Sequence, residues 1–450
     1  MKLRTVVSTL VASTLTFSAM TRKNQSKLAK LFAATSFSLM LAACGGSSSG
    51  SVNPPANPPA APADPQNVQV VSGDGDSSEV QNAISWALDP AVTDYTVYWD
   101  NAPGVTENSS VVVPTAAGTR YVVHSGVDVL AGNSYYYRVK ASSAGGASNL
   151  SAEVAGIPQQ AITNNQLNDV AWNGADTLVA VGDSGVIIAS PNGTSDAWTD
   201  VSVANIPVPL AGVTWENVNS QFMIVGSSST VLTGDGANWV AEDLSNLAGA
   251  VNLQDVAWLG DRYIAVGNNG AIVTSNSDGS SWTLQDAGAN VVNTAFNAVA
   301  YNSNIIVVTG TNGTILNSVD AVVWTEQAKP LNNDLNDITW DGSQFVVVGS
   351  NDTILTSLDG QTWTSHVPGT SDINFVAVTH WDSGLPQNPV LGTAGSAGTY
   401  VVDPDADPGT IIRTGTTERL GGITWVDDGI TPAYFVIVGN DGTVLTTQYE

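Results

Sequence analysis

The stretch LNDITWDGSQFVVVGSNDTILTSLDGQTW, which runs from Leu335 to Trp363, contains the pattern that decides the fold. Polar and apolar residues alternate over 335–340, and Asp341-Gly342 supplies the positive-φ residue of a tight hairpin. The β-branched run 345–348 predicts a second strand, 353–357 a third, and the final tryptophan begins a fourth. Short strands joined by Gly, Asn and Asp turns predict one antiparallel four-stranded sheet.

This unit recurs seven times, with starts about 40 residues apart, the usual length of one propeller blade. Four-stranded sheets stacked radially cover one another's faces. The repeat therefore predicts a seven-bladed β-propeller over residues 158–450. The first strands begin at Leu167, Leu210, Leu253, Phe296, Leu335, Phe375 and Leu420. The second strands end at Gly182, Gly226, Gly267, Gly310, Gly349, Gly392 and Gly439, of which Gly392 is the weakest match.

The seventh unit ends at Glu450 after its third strand. A ring that lacks one strand is closed by the segment that precedes its first blade. We therefore expect residues near Ile157 to Ile162 to supply the fourth strand of blade seven.

Residues 64–157 precede the repeat and contain Ile84-Ser85-Trp86, the run 94–99 and the run Tyr135–Ala141. This segment resembles a fibronectin type III domain. The resemblance implies a β-sandwich with a tyrosine corner, in which Tyr135, Tyr137, Val139 and Ala141 point inward. Such modules act as spacers or protein contacts. The predicted fold class is all-β: a fibronectin type III-like β-sandwich followed by a seven-bladed β-propeller.

The N-terminus carries an apolar run, a preceding basic segment and the sequence Leu41-Ala42-Ala43-Cys44-Gly45. It resembles a bacterial lipoprotein signal peptide, which implies that Cys44 is lipidated. We expect residues 1–43 to be the signal peptide, with Met20 as the true start, and residues 44–63 to be a Gly/Ser/Pro-rich tether. The resemblance implies a lipid-anchored protein of the cell envelope, in the outer membrane.

The formal net charge is −27 with one cysteine in 450 residues. A charge of this sign argues against nucleic acid as a partner and against electrostatic adsorption to anionic membranes. The single cysteine allows no intramolecular disulfide.

Two motifs invite an enzymatic interpretation. Gly182-Asp183-Ser184-Gly185 is like the nucleophile loop of trypsin-like proteases, but the equivalent turns GNNG and GTNG of other units assign it to a hairpin turn. The turns SNSDGSSW from Ser275 and TSLDGQTW from Thr356 resemble the Asp-box (BNR) repeat of sialidase-like propellers. In that family the box is a folding device, and the arginine cluster and Tyr-Glu pair of sialidases find no match here. We assign no catalytic residue.

The order of VAVG, G-x-I and S-x-DG-x-x-W over 167–450 resembles propellers of the photosystem II stability/assembly factor family. That family forms a chaperone-like protein-binding surface. The acidity and the lipoprotein context of this chain differ from it, so the resemblance implies a non-enzymatic, partner-binding character without the photosystem role.

Two groups of aspartates are candidate metal ligands. Asp403, Asp405 and Asp407 alternate as in calcium loops, although Pro408 and Thr414 depart from the EF-hand pattern. The alternative is a solvated Pro-rich loop. Asp169, Asp255 and Asp337 share one register of the first strands and would ring the central channel if those strands are innermost; the alternative is that each binds local backbone. Calcium is thus the one cofactor considered, and none is assigned firmly.

The turns between second and third strands and the connectors between blades lie at one end of the predicted ring. Connectors such as 283–295 and 364–374 vary over a constant scaffold, and binding residues favour loops on rigid frames. We therefore expect this end to bind a protein partner. A carbohydrate-binding or glycoside hydrolase-like propeller is the alternative, and exposed Trp or Tyr beside paired carboxylates would favour it.

Overall fold

The computed structural model divides the chain into two units, Met1–Asn57 and Pro58–Glu450. The residues it describes all belong to the second unit. They are 59–74, 80–112, 119, 121–158, 160–193, 197–244, 247, 249–288, 291–366, 374–380, 390–394, 399–402, 411–412, 416, 418–427 and 434–448. No helix in these ranges is long and apolar enough to span a bilayer.

The N-terminal domain is formed by eight strands that make two antiparallel sheets. β1, β2 and β5 form one sheet, and β4, β3, β6 and β7 form the other, with β8 also paired to β6. The strands are β1 (Gln69–Asp74), β2 (Val80–Ser85), β3 (Asp94–Asp100), β4 (Ser110–Val111), β5 (Tyr121–Ser125), β6 (Tyr135–Ser143), β7 (Gly146–Leu150) and β8 (Val154–Gly156).

The two sheets enclose one apolar core, to which β6 contributes every second residue. Tyr135, Tyr137, Val139 and Ala141 are all buried in this core, as the resemblance implies. The Tyr135 hydroxyl donates to the carbonyl of Asp128 (3.0 Å) and accepts the N–H of Leu130 in the same loop (2.8 Å), the geometry of a tyrosine corner. The domain is thus a β-sandwich, and its assignment to the fibronectin type III family stays a prediction.

The repeat forms seven blades around a closed ring. Blade one contains β9 (Leu167–Trp172), β10 (Leu178–Gly182), β11 (Ile187–Ser190) and β12 (Thr199–Asp200); blade two β13 (Leu210–Glu216), β14 (Gln221–Gly226), β15 (Thr230–Gly234) and β16 (Trp239–Ala241). Blade three contains β17 (Leu253–Trp258), β18 (Tyr263–Gly267), β19 (Ile272–Ser275) and β20 (Trp282–Gln285); blade four β21 (Phe296–Tyr301), β22 (Ile306–Gly310), β23 (Ile315–Ser318) and β24 (Thr325–Glu326). Blade five contains β25 (Leu335–Trp340), β26 (Phe345–Gly349), β27 (Ile354–Ser357) and β28 (Thr364–His366); blade six β29 (Phe375–His380), β30 (Val390–Ala394), β31 (Thr399–Val402) and β32 (Ile411–Ile412); blade seven β33 (Leu420–Val426), β34 (Tyr434–Gly439) and β35 (Val444–Gln448).

The first strand of every blade is the innermost, because each contacts the first strand of the blades on both sides. Each of these strands carries a β-bulge near its start, which lies at the second residue in every blade except blade six. In blade five, for example, Leu335 pairs with Gly349 and Asp337 with Val348, so Asn336 has no partner across the ladder. The bulge aims the second and third side chains of the inner strand toward the neighbouring blade.

The cores lie between blades and not within them, because each four-stranded sheet has two apolar faces. Val179 and Val181 of β10 pack with Phe222 of blade two, whereas Leu178 of the same strand packs with Val436 of blade seven. The second strand is therefore buried on both faces along its whole length.

The ring is closed by the first strand of the sandwich, which corrects our expectation for residues near Ile157 to Ile162. β1 pairs antiparallel with β35, so that Val71 lies opposite Thr447 and Gly73 opposite Leu445. The described residues of 157–162 include no strand. β1 also pairs with β2, and a single six-stranded sheet, β33-β34-β35-β1-β2-β5, runs from the channel into the sandwich.

Alternation along β1 explains how one strand serves two domains. Val70 points into the sandwich core, and Val71 points to the opposite face. On that face Val71 and Ala83 pack with Leu420, Phe435 and Leu445 of blade seven. The linker after β8 cannot supply such a strand, since β1 already fills the free edge of β35.

Blade six departs from the predicted register. We matched Gly392 to the glycine that ends each second strand, but β30 continues to Ala394, which pairs with Phe375, the first residue of the inner strand. Ala394 is therefore the equivalent of Gly349 in blade five. The missing glycine is the physical reason that sequence alone misplaced this strand by two residues.

Candidate functional site

The three candidate channel aspartates lie on inner strands, and each spans two blades. The Asp169 carboxylate accepts the N–H of Val170 (2.8 Å) with one oxygen and the N–H of Val213 in blade two (2.8 Å) with the other. Asp255 joins blade three to Val299 of blade four in the same way (2.8 Å). Asp337 joins blade five to Val378 of blade six (2.6 Å). Each carboxylate is thus a bridge between adjacent inner strands.

Asparagines at the bulge position add a second bond across the same kind of junction. The Asn168 amide donates to the carbonyl of Leu210 (2.8 Å), and the Asn336 amide to that of Phe375 (2.6 Å). Asn297 makes the equivalent bond to Leu335, from blade four to blade five (2.8 Å). Side chains of one inner strand therefore bond both backbone N–H groups and backbone carbonyls of the next inner strand, and these bonds hold the ring together.

Two of the junctions that lack an aspartate are closed by glycine. A Cβ on Gly422 would lie 2.6 Å from the Cα of Asp169, and one on Gly212 would lie 2.9 Å from the carbonyl oxygen of Gln254. These distances are too short for any other residue. Blades seven and two therefore approach the next inner strand more closely than the aspartate-bridged blades do.

Enclosure in the ring raises the pKa of all three carboxyl groups. Desolvation raises the pKa of Asp169 to about 7, and the charge of Asp255 adds to the effect. Desolvation raises the pKa of Asp255 to about 6. The pKa of Asp337 is raised well above its ordinary value, first by desolvation and then by the charges of the other two. The backbone N–H bonds oppose these shifts without cancelling them.

The three aspartates share an electrostatic environment but do not form a metal cage. In the described ranges, no three acidic, histidine or cysteine side chains are close enough together to hold one metal ion. Asp403, Asp405 and Asp407 lie outside these ranges, as does Cys44.

The Asp-box turns between third and fourth strands have the structural form that the resemblance implies. Asp359 accepts the N–H groups of Gln361 (2.9 Å) and Thr362 (2.7 Å), and these bonds hold its pKa below the ordinary value. The Trp282 indole donates to the carbonyl of Gly279 (2.8 Å). These polar groups fold the turn.

The glycine of each box makes a contact that the sequence did not reveal, since it packs on the preceding blade. Gly360 has φ +66°, and a Cβ there would lie 2.8 Å from Val307 of blade four. A Cβ on Gly279 would meet Met223 of blade two in the same way (2.4 Å). The box turn is therefore a joint between blades as well as a hairpin.

The GDSG motif forms the second hairpin turn of blade one, as the repeat predicts. Ser184 and Gly185 both have positive φ (58° and 78°), and the N–H of Val186 donates to the carbonyl of Asp183 (3.3 Å). Asn269-Gly270 forms the same turn in blade three. Ser184 is thus a turn residue.

The second-to-third-strand turns and the blade connectors lie together at one end of the ring, which we call the connector end. The N–H of Gly270 donates to the carbonyl of Thr294 (2.7 Å), and the N–H of Asn312 to the carboxylate of Asp334 (2.8 Å). The connectors are therefore fixed where they return to the ring. The opposite end, which carries the first-to-second-strand turns and the Asp-box turns, we call the turn end.

The carbohydrate alternative requires exposed aromatic rings, and the inner strands do end in aromatic residues. Trp215 and Trp340 are typical: each is half-buried and packs against the phenylalanine opposite it on the second strand, with ring centroids 4.6 and 4.8 Å apart. Within the part of the chain that the structure describes, every tryptophan is buried or half-buried. These rings fill the blades.

One set of surface residues escaped the sequence analysis. Val319, Val322, Val323 and Leu358 are large aliphatic residues at the turn end that are more than half exposed. A comparison of the repeats would have found them, because the equivalent positions of blade three are the polar residues Ser277, Ser280 and Ser281.

The comparisons with known proteins agree on the fold. No protein-family model and no curated protein matches the sequence. A solved structure of YCF48 bound to D1 peptide is similar at 14% identity and a TM-score of 0.51, covering 65% of this chain and 94% of that one. YCF48 from Cyanidioschyzon merolae is similar at 15% identity and 0.51, covering 64% and 97%. The WD40 β-propeller domain of Doa1 is similar at 11% and 0.50, covering 64% and 94%.

These neighbours define the class of the C-terminal domain as a β-propeller. At this level of identity the likeness extends to the fold alone.

Proposed function

We propose that this chain is a cell-envelope lipoprotein whose propeller binds a polypeptide partner and performs no catalysis of its own. The observation that carries the proposal is the connector end, where segments that differ from blade to blade are pinned to a repeated frame by backbone bonds such as Gly270 to Thr294. A fixed frame reduces the entropy lost on binding. YCF48, a propeller of the same fold, has been solved with a bound peptide, which supports a polypeptide as the ligand.

The test is capture followed by reconstitution. The full chain with Cys44→Ser, which removes the acylation site, serves as bait in an envelope extract of its source cells. Each captured protein is then purified and titrated by calorimetry. Saturable one-to-one binding supports the proposal, and its loss when the exposed connector residue Val292 is replaced by Glu would assign the binding to the connector end. Absence of any saturable binder, together with turnover of a glycoside in a substrate panel, would favour the carbohydrate-active alternative.

The lipid anchor is proposed from the sequence of residues 41–45. Labelling cells with an alkyne palmitate should mark the wild-type chain and leave Cys44→Ser unmarked. Unlabelled wild-type protein recovered from the soluble fraction would contradict the anchor and the outer-membrane location.

Calcium at Asp403, Asp405 and Asp407 is proposed on the alternation of carboxylates alone. Selective binding to the folded chain raises its melting temperature. We expect calcium to raise the melting temperature of the wild-type chain and to leave that of Asp405→Asn unchanged. Equal melting temperatures with calcium and with chelator in the wild type would remove calcium from the proposal.

A further inference from the structure

Four aliphatic side chains stand out from the turn end on two adjacent blades. The exposed fractions are 76% for Val319, 58% for Val322, 68% for Val323 and 74% for Leu358. We call these four residues the aliphatic patch. Exposed aliphatic groups that lie close together mark interaction sites more often than single ones do.

The fold does not require aliphatic residues at these positions, because the other blades build the same turn without them. The positions of Val322 and Val323 are taken by Ser280 and Ser281 in blade three and by Gln361 and Thr362 in blade five. Only the intervening structural position is buried: Ala321, 1% exposed, occupies the place of Gly360. Comparison of the blades thus distinguishes the buried residue that folds the turn from the exposed residues that vary between blades.

The patch is held rigidly. One oxygen of the Asp320 carboxylate accepts the N–H groups of Val322 and Val323, both at 2.9 Å. The Asn317 amide donates to the carbonyl of Gly360 at 3.0 Å, which sets the turn of blade five beside that of blade four. The four side chains are therefore presented on a preformed surface, and little order has to be gained on binding.

The surroundings of the patch are acidic. Asp320 and Asp359 lie within the two turns, and Asp278 occupies the equivalent turn of blade three. Backbone and side-chain hydrogen bonds hold the pKa values of these carboxyl groups below the ordinary value, so they are ionised at neutral pH. Arg262 is the one basic side chain in the described part of the turn end. Its guanidinium forms an ion pair with the carboxylate of Asp261, with an N–O distance of 2.7 Å.

We propose that the aliphatic patch is the docking site for a cationic amphipathic segment of a protein partner. The proposal rests on the proposed function, the binding of a polypeptide partner, and adds a second contact surface at the end of the ring opposite the connectors. Aliphatic groups ringed by carboxylates match a segment that carries apolar residues flanked by Lys or Arg. A second copy of this chain fits less well, because each copy carries a formal charge of −27, and an anionic membrane is repelled for the same reason.

The test uses the full chain and a fluorescent peptide of about 18 residues in which Leu and Lys alternate at helical spacing. A peptide of the same pattern with Glu in place of Lys is the charge control. The patch variant is Val319→Ser with Leu358→Ser. The matched control is Val127→Ser with Val240→Ser, two valines that are 75% and 62% exposed outside the patch.

We expect the Lys/Leu peptide to bind the wild type and the control variant equally and the patch variant about tenfold more weakly, since two aliphatic contacts are lost. Raising the salt from about 0.05 to about 0.5 M should weaken binding to the wild type. The Glu/Leu peptide should bind none of the three. All four replaced side chains are exposed, so melting temperatures should agree and exclude misfolding as a cause.

Three results would overturn the proposal: equal affinity of the patch and control variants, equal binding of the Glu/Leu peptide, or self-association of the wild type that the patch variant abolishes. Failure of this proposal can be distinguished from failure of the proposed function. A purified partner that binds the wild type and the patch variant equally would contradict the docking site but not the partner-binding function. The absence of any polypeptide partner would contradict both.

Discussion

Single carboxylates hold the ring at three of its junctions. Asp169, Asp255 and Asp337 each satisfy a backbone N–H on two blades, and the charge of Asp255 raises the pKa of both Asp169 and Asp337. Bridging and repulsion therefore act in opposite directions on stability. The balance between them depends on pH, and this can be measured.

The first prediction concerns Asp255, which faces both of the others. Its folded-state pKa of about 6 exceeds its ordinary value of 3.8. Between these values the folded chain holds a proton that the unfolded chain releases, so the free energy of unfolding falls as pH rises. Asp255→Asn should lower this slope between about pH 4 and about pH 6, as measured by urea unfolding across the range.

The control is Asp286→Asn, an exposed carboxylate whose profile should run parallel to that of the wild type. Burial lowers the pKa of His124 to about 4, so this residue makes the folded chain less stable as pH falls below its ordinary value of 6.5. Its contribution is common to all three chains and cancels in their differences. An Asp255→Asn slope equal to that of the wild type would contradict the raised pKa of Asp255.

At the scale of one element, the Asp-box turn combines a hairpin with a joint between blades. Its aspartate binds the turn backbone, and its glycine packs on the preceding blade. The sequence pattern identified the first role because the aspartate and the tryptophan recur with the turn. The second role depends on a neighbour about 50 residues away.

The second prediction separates these two roles in blade five. Gly360→Ala places a methyl group 2.8 Å from Val307 at φ +66°, and we expect a loss of about 2 to 4 kcal/mol in the free energy of unfolding. Gly342→Ala is the matched control: φ is +93°, and nothing lies within 4 Å of the new methyl group. It should cost about 1 to 2 kcal/mol, the backbone part alone. Equal losses in urea unfolding would show that the blade contact contributes nothing.

For the whole molecule, the decisive feature is the strand β1, which completes both a sandwich and a propeller. Its two edges are filled by β2 and β35, and its two faces lie in different cores. The two domains therefore share hydrogen bonds and buried surface. They should behave as one cooperative unit.

The third prediction tests this shared strand. A protease site inserted after Gln160, which is exposed, allows the linker to be cut in the folded protein. The two fragments should stay associated on gel filtration, because β1 remains paired with β35 and Val71 remains in the core of blade seven.

The companion variant is Gly73→Val, because a Cβ at Gly73 would lie 2.1 Å from Leu445 and 2.7 Å from the carbonyl of Val444. The cut Gly73→Val chain should separate where the cut wild type does not. Separation of both would show that β1 does not close the ring.

Sequence alone determined the number of blades, the order of strands and the role of the GDSG turn. Each depends on local chemistry that repeats: alternating strands such as Leu335–Trp340, glycines such as Gly349 that end the second strand, and turns such as Asp359-Gly360. Where the local signal was weak, as at Gly392, the register was wrong. The resemblance to a fibronectin type III domain implied that Tyr135 and Tyr137 point inward, and both are buried, because alternation in a strand is a local property.

Only the tertiary structure decided how the ring closes, which aspartates bridge blades and which side chains stay uncovered. The β1 sequence fits a sandwich strand equally well whether or not its other edge is paired, so nothing in it marks β35 as a partner. Asp169 and Val319 likewise acquire their roles from residues on the next blade and from the absence of a covering layer. These are properties of contacts between distant segments, and a pattern with a period of one blade does not contain them.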